Sequence, residues 1–434
     1  MQMSGKAVRG GALLIRGARI IDPTQQLDAE ADLLLRDGRV AEIGKLAADA
    51  GEVIEARGLV AAPGFIDLHV HLREPGQWQK ETIASGTAAA AAGGFTSVCT
   101  MPNTSPINDL PAITRWLQEP ERGALVNVFP VAAASVASQG ERLTDYYALA
   151  EAGAVAVSDD GRPLLEDRIM REALRAALAV GLPVMQHAED TRITEGGVLN
   201  EGPTSFRLGL HGMPARAESS LVERDIELTR EIGGRLHVSH LSVAAALEAV
   251  RRGKSWGVQV TCEVTPHHFT LLDEDVIPYD THFKMNPPLR SRPDREALLQ
   301  GLEDGAIDAI ATDHAPHAPH EKAVEFDHAP FGIVGLETAL GLAISRLHGV
   351  RGVSLSRIVA LLSANPARII GQRERGTLRP GAIADVTLFD PTRRWRYQAA
   401  QGRSKARNTP FDGWELTGKV VTTLVAGHVV YRNE

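Results

Sequence analysis

The sequence predicts an α/β protein: a closed (β/α)8 barrel of the TIM type with a small β domain contributed by both chain ends. Eight short apolar runs rich in β-branched residues alternate with helical stretches through the middle of the chain. Strand-like patterning recurs at both termini around that different middle. The 434 residues are enough for one barrel of about 250 residues and a smaller unit besides. An open doubly wound sheet could be made from the same elements. No GxGxxG follows the first apolar run to support it, and Gly93-Gly94 reads as a turn before a strand.

In chain order, residues 13–21 alternate loosely, and residues 33–43 read as two short strands around Asp37-Gly38, a hairpin turn. The eight runs follow at 65–70, 95–101, 126–132, 154–157, 184–186, 236–239, 258–264 and 307–311. Between them the 3.6-residue period predicts helices at 167–180, 219–232 and 293–303. Residues 384–389 and 420–431 return to strand character, the latter turning near Ala426-Gly427.

Composition narrows the function. The chain is 44% hydrophobic and 23% charged, which excludes a mostly disordered protein. A net charge of −8 without a long basic run argues against nucleic acid or an anionic membrane as partner. Small anionic substrates stay open, since they need only one or two local cations. Cys99 and Cys262 can form neither a disulfide framework nor a cysteine zinc cluster, and read as small buried hydrophobes. Arg16 and Arg19 interrupt the apolar start of the chain, so no secretory signal is read there, and residues 87–94 are too few and too small-sided to span a bilayer. A cytoplasmic protein is expected.

The residues just after the apolar runs carry the chemistry. The first run ends Asp67-Leu68-His69-Val70-His71; residues two apart on a strand share a face, so His69 and His71 can reach one metal ion together. The fourth ends Ser158-Asp159-Asp160-Gly161, by itself a turn with a helix-capping aspartate. The fifth leads into Gln186-His187-Ala188-Glu189-Asp190 and the sixth into Val238-Ser239-His240. The eighth leads into Thr312-Asp313-His314-Ala315-Pro316-His317. Each has an ordinary structural explanation when taken alone. Barrel active sites, however, sit at the carboxyl ends of the strands, so these groups converge on one place. Four imidazoles and two carboxylates suit two borderline-soft divalent ions, zinc first among them. Asp160 would suit a bridge between them, although spacing does not separate it from Asp159.

The run Pro63-Gly64-Phe65-Ile66-Asp67-Leu68-His69-Val70-His71 resembles the opening motif of the amidohydrolase superfamily. Its continuation Leu72-Arg73-Glu74-Pro75-Gly76 is similar to the dihydroorotases, as are Met101-Pro102-Asn103-Thr104, Met285-Asn286-Pro287-Pro288 and Asp313-His314-Ala315-Pro316-His317. Residues 376–385 resemble that family's return into its β-sandwich, and the nearest variant is the bacterial long-chain type. The resemblance implies a β-sandwich from residues 1–62 and 373–434 around a catalytic barrel at 63–372. It implies reversible cyclisation of N-carbamoyl-L-aspartate to L-dihydroorotate in de novo pyrimidine biosynthesis. It also implies that His69 and His71 bind one zinc, that His187 and His240 bind the other, that Asp160 bridges, and that Asp313 is both ligand and catalytic acid/base. Many relatives bridge their metals with a carboxylated lysine at the end of the fourth strand; residues 153–160 contain no lysine, so an aspartate must serve.

The substrate residues expected are His71, Arg73, Asn103, Asn286, His317, Phe331 and Gly332. Arg73 lies two past His71 on the same side, where a guanidinium can hold a carboxylate in bidentate fashion. Asn103 and Asn286 supply directional amides, His317 resembles the family's second carboxylate ligand, and Phe331-Gly332 would offer backbone amides to the ring. His237, His267, His268, His314 and His320 read as structural or as outer partners of metal ligands. Residues 316–331, with proline, charges and little periodicity, are expected to form the mobile loop over the site. A homodimer is a family-level expectation, and an association with aspartate transcarbamoylase stays open. Two other readings remain: a hydantoinase or allantoinase opening a neutral cyclic ureide, against which Arg73, Asn103 and the absent bridging lysine tell, and a non-catalytic scaffold, which should have lost ligands that this chain keeps.

Overall fold

The computed structural model describes residues 11–47, 51–276 and 279–433. The amino-terminal part builds strands β1 (Leu13–Asp22), β2 (Leu27–Arg36), β3 (Arg39–Gly44), β4 (Glu52–Glu55) and β5 (Val60–Pro63). The turn between β2 and β3 is the expected one: Asp37 and Gly38 both take positive φ, 51° and 74°, as a two-residue hairpin loop requires. Strand β2 starts six residues before the predicted hairpin, because residues 27–31 pair with β1.

Next come β6 (Phe65–Val70), β7 (Phe95–Thr100), β8 (Asn127–Ala132), β9 (Ala156–Val157) and β10 (Val184–Gln186). A short parallel pair, β11 (Leu199–Asn200) and β12 (Gly212–Met213), stands apart. The series resumes with β13 (Leu236–Val238), β14 (Val260–Val264) and β15 (Ala309–Ile310). Strands β6 to β10 and β13 to β15 form one parallel sheet in sequential order. It closes where Val70 bridges His314, where His71 N–H donates to His314 O (2.9 Å), and where Thr312 N–H donates to buried Asp67 Oδ1 (3.0 Å). That is the predicted eight-stranded barrel. Strands β9 and β15 are shorter than expected because the preceding helices claim their first residues: Ala154 N–H donates to Leu149 O and Ile307 N–H to Gly301 O.

Helices Asp167–Val180, Arg216–Ile232 and Arg292–Asp304 pack outside the barrel, the first with the predicted bounds. In it Ile169, Met170, Ala173, Leu174 and Ala177 form one buried stripe, and Gly181 ends it in the left-handed conformation. Among the described residues no helix is long and apolar enough to cross a membrane.

Strands β16 (Val386–Arg396), β17 (Glu415–Val425) and β18 (His428–Arg432) complete the terminal sheet, with Ala426 and Gly427 turning at positive φ as predicted. Its order is β18-β17-β16-β5-β1-β2-β3, with β4 also on β1. Strand β5 is the seam, parallel to β1 and antiparallel to β16, so both chain ends share one sheet. Leu13, Ile15, Ile20, Leu33, Val386, Leu388 and Leu424 form its core. Buried Asp22 fastens the halves, accepting from Thr24 N–H (2.8 Å) and Leu378 N–H (2.7 Å). The chain passes from this sheet into the barrel at Gly64, where a Cβ would lie 2.2 Å from Thr96 Oγ1.

Candidate metal centre

Six side chains meet at the carboxyl edge of the barrel strands: His69 on β6 and His71 just past it, then Asp160, His187, His240 and Asp313 beyond β9, β10, β13 and β15. None exceeds 7% exposure, so water does little to screen them. His69 Nε2 lies 3.3 Å from Asp160 Oδ1 and 3.6 Å from Asp313 Oδ1. His71 Nε2 lies 3.0 Å from Asp313 Oδ1 and 3.6 Å from Asp160 Oδ2. His187 Nδ1 and His240 Nε2 are each 3.8 Å from Asp160 Oδ1 and 2.9 Å from each other. Three triplets, His69/His71/Asp160, His69/His240/Asp313 and Asp160/His187/His240, keep their ligand atoms within 4.8 Å.

The outer ring nitrogens decide what the inner ones offer. His69 Nδ1 faces Glu263 Oε1 (3.3 Å), His71 Nδ1 faces Asn103 Oδ1 (2.9 Å) and His187 Nε2 faces Glu189 Oε2 (3.0 Å). Each of those oxygens accepts a proton from its ring, so the inner nitrogens are left to a second proton or to a metal ion. Inward lone pairs facing carboxylate oxygens repel unless a cation stands between them. His69 Nε2, buried and without a hydrogen-bond partner among the described residues, is the clearest sign. The donor set therefore fits divalent metal.

The electrostatics agree. Burial opposes charge on His69, but Asp160 and Asp313 outweigh it and hold the imidazole well above its ordinary value. Burial also opposes ionisation of Asp160 and Asp313, yet the surrounding histidines hold both well below the usual carboxylate range. A dry pair of aspartates thus draws positive charge.

Three of the residues here have left-handed backbones: Arg73 (φ 60°), His240 (φ 33°) and Asp313 (φ 46°). His240 shows the use of this. His237, three residues earlier, already faces the interior through Glu263 (Nε2 to Oε2, 3.1 Å), and an unbroken strand would turn His240 outward.

Of the two aspartates that spacing left unresolved, Asp159 turns away, accepting from Ser135 N–H (2.9 Å) and Ser135 Oγ, while Asp160 stands among the histidines. Asn103 also donates through Nδ2 to Asp160 Oδ2 (3.1 Å), so its amide spans two candidate ligands. Arg73 is 9% exposed, and its Nε donates to Pro316 O (3.1 Å). Among the described residues no carboxylate forms an ion pair with it. Burial draws its pKa from 12.5 down to about 10. His317 lies beside it, with Nη2 of Arg73 3.4 Å from its Nε2; that nitrogen donates to Phe331 O (2.7 Å). Burial, then Arg73, Lys80 and Lys322, lower the His317 pKa to about 3, so the ring is neutral.

Asn286 donates to Glu189 Oε2 (2.8 Å) and keeps Oδ1 unpartnered. Of the backbone amides expected to serve the ring, that of Gly332 is already donated to Lys284 O (2.9 Å). Gly332 has φ 152°, and a Cβ there would lie 2.5 Å from Ala315 O. The 316–331 segment is tied down in this conformation: Lys284 Nζ donates to Phe326 O (2.7 Å) and Lys322 Nζ to Pro330 O (2.7 Å).

The remaining histidines divide. His237 backs Glu263, and His314 Nε2 meets buried Glu81 Oε2 at 3.4 Å. His268 bonds Thr265 Oγ1 and Pro287 O, and His320 is exposed. His267 is buried with Nε2 unpartnered. Both cysteines are free and buried. Sequence reasoning missed Glu263 and Glu189 as partners of ligands. Glu189 had a usable signal, two residues past His187; Glu263 sits on β14, which bears no ligand of its own.

The Dihydro-orotase-like family model matches residues 58–245. A protein named dihydroorotase from Geobacter sp. (strain M21) is 50% identical over 97% of this chain and 99% of its own length. Another of that name from Solibacter usitatus (strain Ellin6076) is 48% identical over 96% and 97%. Among solved structures, the L-hydantoinase (dihydropyrimidinase) from Arthrobacter aurescens superposes with a TM-score of 0.87 at 26% identity, covering 97% of this chain and 96% of that one. At such identity and coverage, the chain belongs to the dihydroorotase family.

Proposed function

We propose that this protein is a zinc-dependent dihydroorotase, interconverting N-carbamoyl-L-aspartate and L-dihydroorotate in cytoplasmic pyrimidine biosynthesis. The observation that carries the reading is the buried Arg73 guanidinium, without a carboxylate partner among the described residues, beside a dry cluster of four histidines and two aspartates. In it residues 63–372 are the catalytic barrel and residues 1–62 with 373–434 a β-sandwich. His69, His71, His187 and His240 would hold two zinc ions, with Asp160 as the bridging ligand and Asp313 as a further ligand.

Zinc bound there would supply an ionised water at neutral pH and would polarise the acyl oxygen. The chain does the rest. Arg73 and the asparagines hold the substrate carboxylate and ring, with the neutral His317 ring beside Arg73, while His71 and the Phe331-Gly332 wall flank them. In hydrolysis the Asp313 carboxylate takes the proton of the attacking water and delivers it to the departing ring nitrogen. In synthesis it takes the proton from the ureido nitrogen and returns it to the departing oxygen, which leaves at the hydroxide level and becomes water by taking up one proton from solvent, the proton that closure consumes. Burial keeps these transfers from leaking to solvent.

The test starts from each compound in turn at about pH 6 and pH 8.5. Carbamoyl aspartate carries two carboxylates and dihydroorotate one, so closure consumes a proton and the final ratio of cyclic to open form should fall about tenfold per pH unit. No interconversion by the metal-loaded protein refutes the assignment. Turnover of a neutral ureide in its place would return the hydantoinase reading that the fold alone allows. The proposal extends to a homodimer and to association with aspartate transcarbamoylase; sizing the protein alone and mixed with that enzyme checks both.

A further inference from the structure

The chain between β16 and β17 leaves the terminal sheet and reaches the barrel mouth. Its base is closed by Tyr397 N–H on Trp414 O (2.9 Å) and Gly413 N–H on Tyr397 O (2.8 Å). Ser404 Oγ bonds buried Glu81 Oε2, the carboxylate that also meets His314, and Lys405 N–H donates to Glu81 Oε1 (3.2 Å). At its tip Asn408, 2% exposed, uses its whole side-chain amide. Nδ2 donates to Ala315 O (2.9 Å) and to Gly332 O (3.0 Å), while Oδ1 accepts from His317 N–H (3.0 Å). Its carbonyl accepts from Val334 N–H (2.9 Å).

Asn408 thus brackets two carbonyls without touching either. Ala315 and His317 flank Pro316, whose oxygen takes the Arg73 Nε proton, and Gly332 follows Phe331, whose oxygen takes the His317 Nε2 proton. Those carbonyls aim the Arg73 fork proposed above to hold the substrate carboxylate and pin the neutral His317 ring beside it. We infer that Asn408, contributed from the terminal sheet, is a positioning residue for carboxylate recognition, setting Arg73 and His317 through the backbone of residues 315–317 and 332. This rests on the dihydroorotase reading. Only an amide meets the need: one acceptor and two protons on a planar fork. An aspartate keeps the acceptor for His317 but turns an oxygen toward two carbonyls.

The experiment is Asn408→Asp and, as a milder change, Asn408→Ser in the metal-loaded enzyme. Readouts are metal content, kcat and KM for dihydroorotate, and the inhibition constant of dihydrouracil, the same ring without the carboxylate. The expected result is a dihydroorotate KM raised at least about tenfold with kcat within about threefold, metal content unchanged and dihydrouracil inhibition unchanged. Wild-type KM in Asn408→Asp overturns the inference. So do equal losses for both ligands, loss of metal, or failure of both variants to fold, since each would make Asn408 a fastener of the fold. A wild-type enzyme that does not turn over dihydroorotate refutes the functional reading instead, and the inference with it.

Discussion

Replacing Arg73 with methionine should make the protein more stable and much worse at holding its substrate. Arg73 is buried, donates to Pro316 O at 3.1 Å, and has no carboxylate paired with it among the described residues. Burial draws its pKa from 12.5 to about 10. At about 1.4 kcal/mol per pKa unit, that is roughly 3 kcal/mol against keeping the charged group inside. Methionine removes the charge, and at φ 60° it meets the same backbone requirement as arginine. Losing the hydrogen bond to Pro316 gives back about 1 kcal/mol, so the metal-free variant should gain roughly 2 kcal/mol. The same change strips the partner from a desolvated substrate carboxylate, which costs about 2–5 kcal/mol. Dihydroorotate kcat/KM should then fall by roughly 30-fold to several thousand-fold. Urea unfolding of both metal-free proteins and steady-state hydrolysis by the metal-loaded ones measure the two effects. A variant that is less stable yet keeps its substrate affinity would refute the reasoning and leave Arg73 as a structural fastener. Arg73→Lys sharpens the point: with the charge kept but the fork lost, dihydroorotate should weaken far more than a ureide lacking the carboxylate.

Glu263→Gln should weaken metal at the His69 position about 10- to 100-fold, because the amide no longer fixes the ring as a carboxylate does; chelator competition reads this, and unchanged affinity contradicts the assigned tautomer. Asp313→Asn should leave a folded, metal-containing protein with activity down at least about a hundredfold, and near wild-type turnover would remove Asp313 from proton transfer. In the metal-free protein Asp160 and Asp313, outweighing burial, hold His69 well above its ordinary pKa, so at pH 7 the ring carries a proton that metal must displace. Metal uptake should therefore release protons, and affinity should rise with pH across the neutral range. Calorimetry in two buffers of different ionisation enthalpy measures the release, and none at all would contradict the site as described.

The barrel was legible because its signals are local: apolar runs at strand length, helices marked by a buried stripe, and Asp37-Gly38 and Ala426-Gly427 at positions that demand positive φ. The candidate ligands were legible for the same reason, since the carboxyl ends of parallel strands must share one rim and His69 with His71 shows the two-residue period. The partners of those ligands obey no such rule. Glu263 meets His69 from a strand 194 residues away in the chain, and Asn408 meets His317 across 91. The choice of Asp160 over Asp159 turns on Ser135 capturing the other carboxylate, and His240 reaches the site only because its backbone leaves the strand conformation. Local period and turn chemistry are written in neighbouring residues and so read directly from the chain. Which oxygen faces which ring nitrogen depends on how closed strands bring distant segments together, and that was settled by packing alone.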